Sequence, residues 1–176
     1  KEVTAVDRTD DGDFRFNKEI DVAKIAVIER HQMTGNVATA LIAGYGIKAG
    51  AIAITVAHDS HNIIVVGTTN EDMAFAVSKI IEQEGGVVVV NNGEVLESMP
   101  LPIAGLMSDR SGEWVKDKLI KIHDKAYNEL GVSHEVEPTM TLCFMALPVI
   151  PEVKITDMGL FDVTKQEFIN TEAEKN

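Results

Sequence analysis

The chain has 176 residues, of which 45% are hydrophobic and 25% charged. This is the size and composition of one globular domain, and it excludes a disordered or fibrous protein. Sixteen basic residues against 28 acidic residues give a formal net charge of −12. Because phosphate backbones and anionic lipid surfaces repel such a charge, nucleic acid and membrane surfaces are excluded as favoured partners.

The first 18 residues predict a linker or a short edge segment. They carry an acidic cluster around Gly12 and no sustained apolar period. Apolar density rises from Ile20, and the continuous run Ile25–Ile28 is typical of a strand buried on both faces. We expect that strand to end at the charged triplet Glu29–His31. With Thr34 and Gly35, this triplet is either a second candidate polar cluster at a strand end or a charged exit from the sheet followed by a turn.

Two further strands and a helix follow along the chain. Ala51–Val56 and Ile63–Val66 are rich in β-branched residues and flank a polar loop, so they predict strand, loop, strand. Thr69 or Asn70 can cap a helix, because its side-chain oxygen can accept from a free backbone amide. Apolar residues at spacings of three and four extend this helix to about Glu84, where a glycine doublet ends it.

The middle of the chain predicts a β-hairpin and a second helix. Val87–Val90 and Glu94–Met99 read as strands, joined by a turn in which Asn92-Gly93 suits the positive φ angles of type I′. The helix is predicted over about Asp109–Leu130, where apolar residues line one face.

The last third of the chain is less regular. Periodicity does not distinguish strand from helix in the apolar run Met140–Ile150. Met158–Val163 predicts a last short strand, and residues 165–176 predict a polar tail that frays from Thr171.

Together these elements predict an α/β (α+β) fold, with a mixed β-sheet, strand pairs and two main flanking helices. The domain is expected to span residues 19–164. Cys143, the single cysteine, lies in an apolar stretch and is predicted to be a buried thiol. The sequence has neither an 18-residue apolar run nor the pattern of a secretory signal, so we expect a cytoplasmic location.

The densest polar cluster follows the predicted strand 51–56. Its members are His58, Asp59, Ser60, His61 and Asn62. Ligands of α/β sheets are usually bound where strands end, because side chains there face a crevice on a rigid support. His31 also follows a strand, and if the two strands are neighbours the histidines converge into a group suited to hydrogen bonding or proton transfer. The alternative is a solvated loop in which the short polar side chains satisfy turn amides.

Other chemistry finds little support in the sequence. His58 and His61, three residues apart in a loop, match no metal-binding signature, so we assign no metal ligand and no catalytic residue within the chain. No phosphate-binding loop, dinucleotide fingerprint or nucleophile elbow is present. The connector Pro100–Met107 is apolar, which predicts either core packing or a patch that another domain or subunit covers.

Six strings of the sequence carry a family resemblance. They are Glu29–His31 with Thr34–Asn36, Val56–Gly67, Asn70–Met73, Pro100–Ser108, Ala146–Glu152 and Gly159–Val163. In the identity of their residues and in their order, they resemble the C-terminal domain of bacterial adenine deaminase, over about Asp13–Val163. The dozen residues around His58 are far more specific than a short motif.

The resemblance implies part of an amidohydrolase that converts adenine and water to hypoxanthine and ammonia. It implies an upstream barrel as partner, adenine as substrate, and a binuclear divalent metal centre of manganese or iron held by that barrel. Its metal ligands lie in the barrel, so none is carried onto this sequence. The domain would close or complete the active site, with His31 and residues 58–62 as substrate-proximal candidates, and a homo-oligomer is a further candidate assembly. The alternative is a free-standing binding or oligomerisation module without catalysis.

Overall fold

The computed structural model describes residues 6–171, which form two β-sheets, three α-helices and one π-helical turn. In chain order the elements are β1 Val22–Ile28, β2 Val37–Ala43, β3 Ala51–Ile54, β4 Ile63–Gly67, α1 Asn70–Glu82, β5 Gly86–Asn91, β6 Glu94–Pro100, α2 Gly112–Asp124, the π-helix Lys125–Glu129, α3 Pro138–Met145, β7 Val153–Thr156, β8 Gly159–Asp162 and β9 Glu167–Ile169. The large sheet has the order β2-β1-β4-β3-β5-β6, and the small sheet has the order β7-β8-β9.

The core lies on both faces of the large sheet. Strands β3 and β4 are buried over their whole length, as their continuous apolar runs predict. Met73 and Ile80 of α1 pack on one face. Ile122, Ala126 and Leu142, from the helical segments that follow β6, pack on the other. The sheet is therefore the middle layer of a three-layer domain.

The predicted α+β fold is confirmed, including the strand pairs and the two main helices. Every strand pair in residues 6–171 is antiparallel. The α1 crossover does connect two strands that run in the same direction, β4 and β5. These strands are not neighbours, because β3 lies between them and pairs antiparallel with both.

The hairpin prediction is confirmed in detail. Asn92 and Gly93 have φ angles of 51° and 74°, the left-handed values that a type I′ turn requires. The buried carboxylate of Asp72, in the first turn of α1, accepts hydrogen bonds from the backbone amides of both residues, at 3.3 and 2.9 Å. This contact fixes the turn against the start of the helix.

The helix predictions are confirmed with shifted ends. Thr69 caps α1 by accepting from the amide of Asp72, and Ser111 caps α2. The predicted second helix continues past α2 as the π-helical turn, in which the amide of Leu130 donates to the carbonyl of Lys125. The ambiguous run Met140–Ile150 contributes most of α3, and Cys143 is buried within that helix.

Sequence reasoning missed three strands. β2 is an edge strand rich in alanine, with exposed residues between buried ones, so its apolar signal is weak. β7 and β9 are strands of four and three residues in the small sheet, which packs against β1 and β2. β9 lies within the segment 165–176, for which the sequence predicted a polar tail, and residues 1–5 and 172–176 lie outside the described part. No helix of residues 6–171 is long and apolar enough to cross a bilayer.

We expect Thr55→Val to destabilise the domain by about 1–3 kcal/mol, because it leaves two buried backbone groups without partners. The Thr55 hydroxyl donates to the carbonyl of Gly105 at 2.6 Å and accepts from the amide of Gly86 at 2.7 Å, in a side chain that is 1% exposed. Urea unfolding measures the difference. The control Thr39→Val, at an exposed strand position, should change the free energy of unfolding by no more than about 0.5 kcal/mol. Equal effects of the two substitutions would contradict this account.

Candidate functional site: a histidine loop at one edge of the sheet

Four loops meet at one edge of the large sheet. Antiparallel pairing places the end of β1 beside the start of β4. It also places the ends of β3 and β6 on either side of the start of β5. The connections 29–36, 55–62 and 101–108 therefore lie on the same side. Hydrogen bonds bring the β7–β8 turn, residues 157–158, to this side as well. We call these four segments the loop edge.

The predicted polar cluster, residues 58–62, is the centre of the loop edge, and we call it the histidine loop. Its first amide, at His58, donates to the carbonyl of Cys143 in α3 at 3.1 Å. The amide of His61 donates back to the carbonyl of Ala57 at 2.7 Å, which closes a tight turn. Asp59 and Ser60 are exposed at the tip of that turn.

The side chain of Asn62 is buried and hydrogen-bonded within the domain. Its side chain is 3% exposed, accepts from the amide of Arg30 at 3.3 Å and donates to Asp157 at 3.2 Å. Asn36 donates to the other carboxylate oxygen of Asp157 at 3.3 Å. A buried amide that is satisfied on both sides fixes the loop and is not available to a ligand.

The histidines lie close together. The Nε2 atom of His31 is 2.7 Å from the carbonyl oxygen of Ser60, so this nitrogen carries the proton and donates. The rings of His58 and His61 have centroids 5.3 Å apart in an edge-to-face arrangement, and His58 also contacts Phe144. The neighbouring strands β1 and β4 thus bring His31 to the histidine loop.

His61 is held in one tautomer. The amide of Ala57 donates to its Nδ1 atom at 3.3 Å, so Nδ1 is unprotonated and Nε2 carries the proton in the neutral ring. Partial burial, then electrostatic repulsion from His58 and Arg30, lower the pKa of His61 below its ordinary value. The side chain therefore offers an Nε2–H donor from a neutral imidazole.

Arg30 makes contacts that its local sequence does not predict. Its Nε donates to the carbonyl of His61 at 2.5 Å, and a terminal nitrogen donates to the carbonyl of Ala104 at 2.8 Å. A β-carbon on Gly105 would lie 3.0 Å from the guanidinium, and the φ of 73° at this position also favours glycine. One side chain therefore joins three of the four loops.

Glu29 organises the neighbouring loop. Its carboxylate accepts from the amides of His31, Gln32 and Thr34 and from the hydroxyl of Thr34. The backbone hydrogen bond from Thr34 is the main reason that the pKa of Glu29 is lowered from 4.5 to about 2. From the sequence, this segment is either a second candidate cluster or a charged exit from the sheet, and the Thr-Gly turn that follows Glu29 and Arg30 is the local signal of this arrangement.

Within residues 6–171, no three His, Cys, Asp or Glu side chains are grouped so that they could hold a metal ion together. The donor set at the loop edge therefore does not fit a metal centre. An apolar cavity of about 290 Å³ lies nearby, between the sheet and helices α2 and α3, with Cys143 in its wall.

Comparison with known proteins identifies the family. The model of the adenine deaminase C-terminal domain matches residues 1–167. This chain belongs to that family. It is 65% identical, over 98% of its length, to adenine deaminase 2 of Desulfotalea psychrophila. It is 50% identical over 98% of its length to adenine deaminase of Ligilactobacillus salivarius, and 57% identical over 86% to that of Brucella abortus.

The resemblance noted in the sequence is thus confirmed at the level of the family. The chain spans about 30% of the length of these curated relatives, with 30% of the first two and 26% of the third. The adenine deaminase C-terminal domain described here is accordingly the counterpart of a minor part of each relative.

We expect Glu29→Gln to lower the melting temperature of this adenine deaminase C-terminal domain at neutral pH. The folded-state pKa of Glu29 is depressed, so its contribution is complete above about pH 4.5 and is lost as pH falls towards 2. The melting-temperature difference between parent and variant should shrink over that range, because protonation makes the carboxyl resemble the amide. Thermal unfolding from pH 2 to 7 measures this difference.

The control for this experiment is Glu135→Gln, at an exposed glutamate whose carboxylate accepts no backbone amide in the described residues. Its melting-temperature difference from the parent should remain small at every pH. A Glu29→Gln difference that stays constant down to pH 2 would contradict the assigned role.

Proposed function

We propose that this domain is the C-terminal part of an adenine deaminase, a hydrolase that converts adenine and water to hypoxanthine and ammonia. The support is the family match over residues 1–167 and the share of about 30% that the domain represents in relatives carrying that name. The domain then acts beside an upstream catalytic barrel. In this proposal the histidine loop lies at the mouth of the barrel and helps to enclose adenine.

The family resemblance implies a divalent metal, manganese or iron in a binuclear centre, in the full-length enzyme. The described residues of this domain do not fit such a centre, since they form no group of three metal-ligating side chains. We therefore assign the metal to the barrel and give this domain no ligand role. Its part is to orient the purine and to exclude water.

The observation that carries this proposal is the hydrogen bonding that fixes the tautomers of two histidines at the loop edge. His61 offers an Nε2–H donor, because its Nδ1 accepts from Ala57. His31 donates from Nε2 to Ser60, so its Nδ1 is left as an acceptor when the ring is neutral. Adenine has ring nitrogens that accept and an exocyclic amine that donates. The two imidazoles can therefore match both kinds of group.

Asp59 and Ser60 complement the histidines. Both are exposed at the tip of the turn. A carboxylate at this place can accept from the adenine amine or orient the neighbouring imidazole of His58. Asn62, by contrast, is engaged with Arg30 and Asp157, and we propose a positioning role for it.

In the full-length enzyme we expect His61→Asn to lower kcat/KM for adenine by about ten- to hundredfold with an unchanged melting temperature. The asparagine amide oxygen can replace Nδ1 as the acceptor for Ala57, whereas the Nε2–H donor is lost. His61→Gln restores a donor at that distance and should retain more activity. Steady-state kinetics and thermal unfolding of each variant provide the measurement.

His58→Ala and Asp59→Ala complete the series, and His134→Ala is the matched control. His134 is an exposed histidine stacked on Tyr127, outside the loop edge, so its loss should leave kcat/KM within about twofold. If all the loop variants stay within about twofold of the parent, the loop has no part in catalysis. If activity and stability fall together in each, the loop is structural only.

The isolated domain should show no adenine deaminase activity and should copurify with less than stoichiometric transition metal, because the barrel is proposed to supply the metal ligands. Elemental analysis and an ammonia-release assay on the purified domain test both statements. About one or two metal ions per chain, or turnover of adenine, would show that the domain carries a centre of its own.

A further inference from the structure

We propose that the loop edge is the surface on which the upstream catalytic part of the same protein docks, and that exposed apolar side chains around the histidine loop make the contact. This inference rests on the proposed function and adds the interface to it. The side chains concerned are Met33, Ile103, Met107 and Met158, which we call the apolar rim.

The apolar rim is unusually exposed for such residues. Met33 is 94% exposed, Met158 72%, Met107 58% and Ile103 47%. Single apolar residues on a surface need no explanation, but several around one polar centre are typical of an interaction site. Three of the four are methionines, whose flexible, polarisable side chains adapt to a partner surface.

Hydrogen bonds place the rim on two sides of the histidine loop. Met158 follows Asp157, which Asn62 of the histidine loop binds directly. Met33 lies in the loop whose His31 donates to Ser60. Both residues therefore lie on the side of the loop that faces β2 and the small sheet.

The other side of the rim comes from the connector 101–108. Ile103 and Met107 pair across a β-bridge around Ala104, whose carbonyl accepts from Arg30. Leu101 and Gly105 of the same connector are buried. The sequence predicted either core packing or a surface patch for this connector. Its buried residues pack in the core, and Ile103 and Met107 are exposed.

The rim is held in place before any partner arrives. Glu29 fixes the backbone on both sides of Met33 through the amides of Gln32 and Thr34. Arg30 fixes the connector, and Asp157 fixes the β7–β8 turn. A surface whose backbone is already ordered loses little conformational freedom when a partner binds.

The partner that we assign to this surface is the upstream catalytic part of the full-length protein. The domain covers 30% of adenine deaminase 2 of Desulfotalea psychrophila, which leaves about 70% of that relative outside the match. The family is a C-terminal domain, so this remainder precedes it. Val6 lines a surface groove with Thr39 and Leu41 of β2, and β2 begins at the loop edge with Val37.

The test is thiol labelling of variants of the full-length protein that each carry one added cysteine, under native conditions. Met33→Cys and Met158→Cys report on the rim. Val95→Cys is the matched control, at a residue 42% exposed in the β5–β6 hairpin at the opposite edge of the sheet. A small maleimide is the probe, the parent protein gives the background, and labelling in denaturant shows that each thiol can react.

If the rim is docked, Met33→Cys and Met158→Cys should react at least about tenfold more slowly than Val95→Cys, although both positions are more exposed in the domain alone. Equal or faster labelling of the rim cysteines overturns the proposal. Protection that disappears when the protein is diluted overturns it too, because the occupant is then a second copy of the chain.

The adenine deaminase assay separates this proposal from the one on which it rests. A full-length protein that deaminates adenine while its rim cysteines label rapidly refutes the interface and leaves the proposed function intact. A protein with a protected rim and no turnover of adenine refutes the function instead. Where either rim variant has a lowered melting temperature, the other variant decides the outcome.

Discussion

The arrangement of the loop edge depends on the guanidinium of Arg30. Its planar fork bonds the carbonyl oxygens of His61 and Ala104 at once, and its own backbone amide is held by Asn62. A lysine ammonium is a single point charge and cannot reproduce this fixed two-way geometry. The relative positions of three separate connections are consequently set by one rigid group, with a glycine opposite to make room for it.

The polar side chains that support the histidine loop use their hydrogen-bonding groups within the domain, whereas the imidazoles of the loop edge use only some of theirs. Thr55, Asn62 and Asp157 are occupied with holding strands and loops together. The imidazoles of His31 and His61 each use one nitrogen for the scaffold and retain the other. This division is what a preformed site needs, because the scaffold bonds fix the direction of the groups that remain available.

Much of the fold could be predicted from the sequence where local signals were strong. The Asn92-Gly93 turn, the Thr69 cap and the apolar runs of β3 and β4 each determine one element by short-range chemistry. The strands β2, β7 and β9 could not be found this way, since they are short or alanine-rich and are stabilised by pairing with distant segments. The candidate site could be predicted in part, because His31 and residues 58–62 are polar residues that follow apolar strands. The role of Arg30 depends on Ala104, 74 positions away, which no local pattern reveals.

The position of β3 between β4 and β5 has a consequence for how the chain folds. Residues 51–54 pair with residues 64–67 and also with residues 87–90, so one short strand completes both halves of the large sheet. Neither half is a closed unit without it, and the second pairing spans more than thirty residues. Contacts at such separation form late and slowly, because a long loop must close first. During synthesis, the hydrophobic edge of β3 is therefore open until β5 has left the ribosome, and the sheet reaches its full width only after β6 has followed.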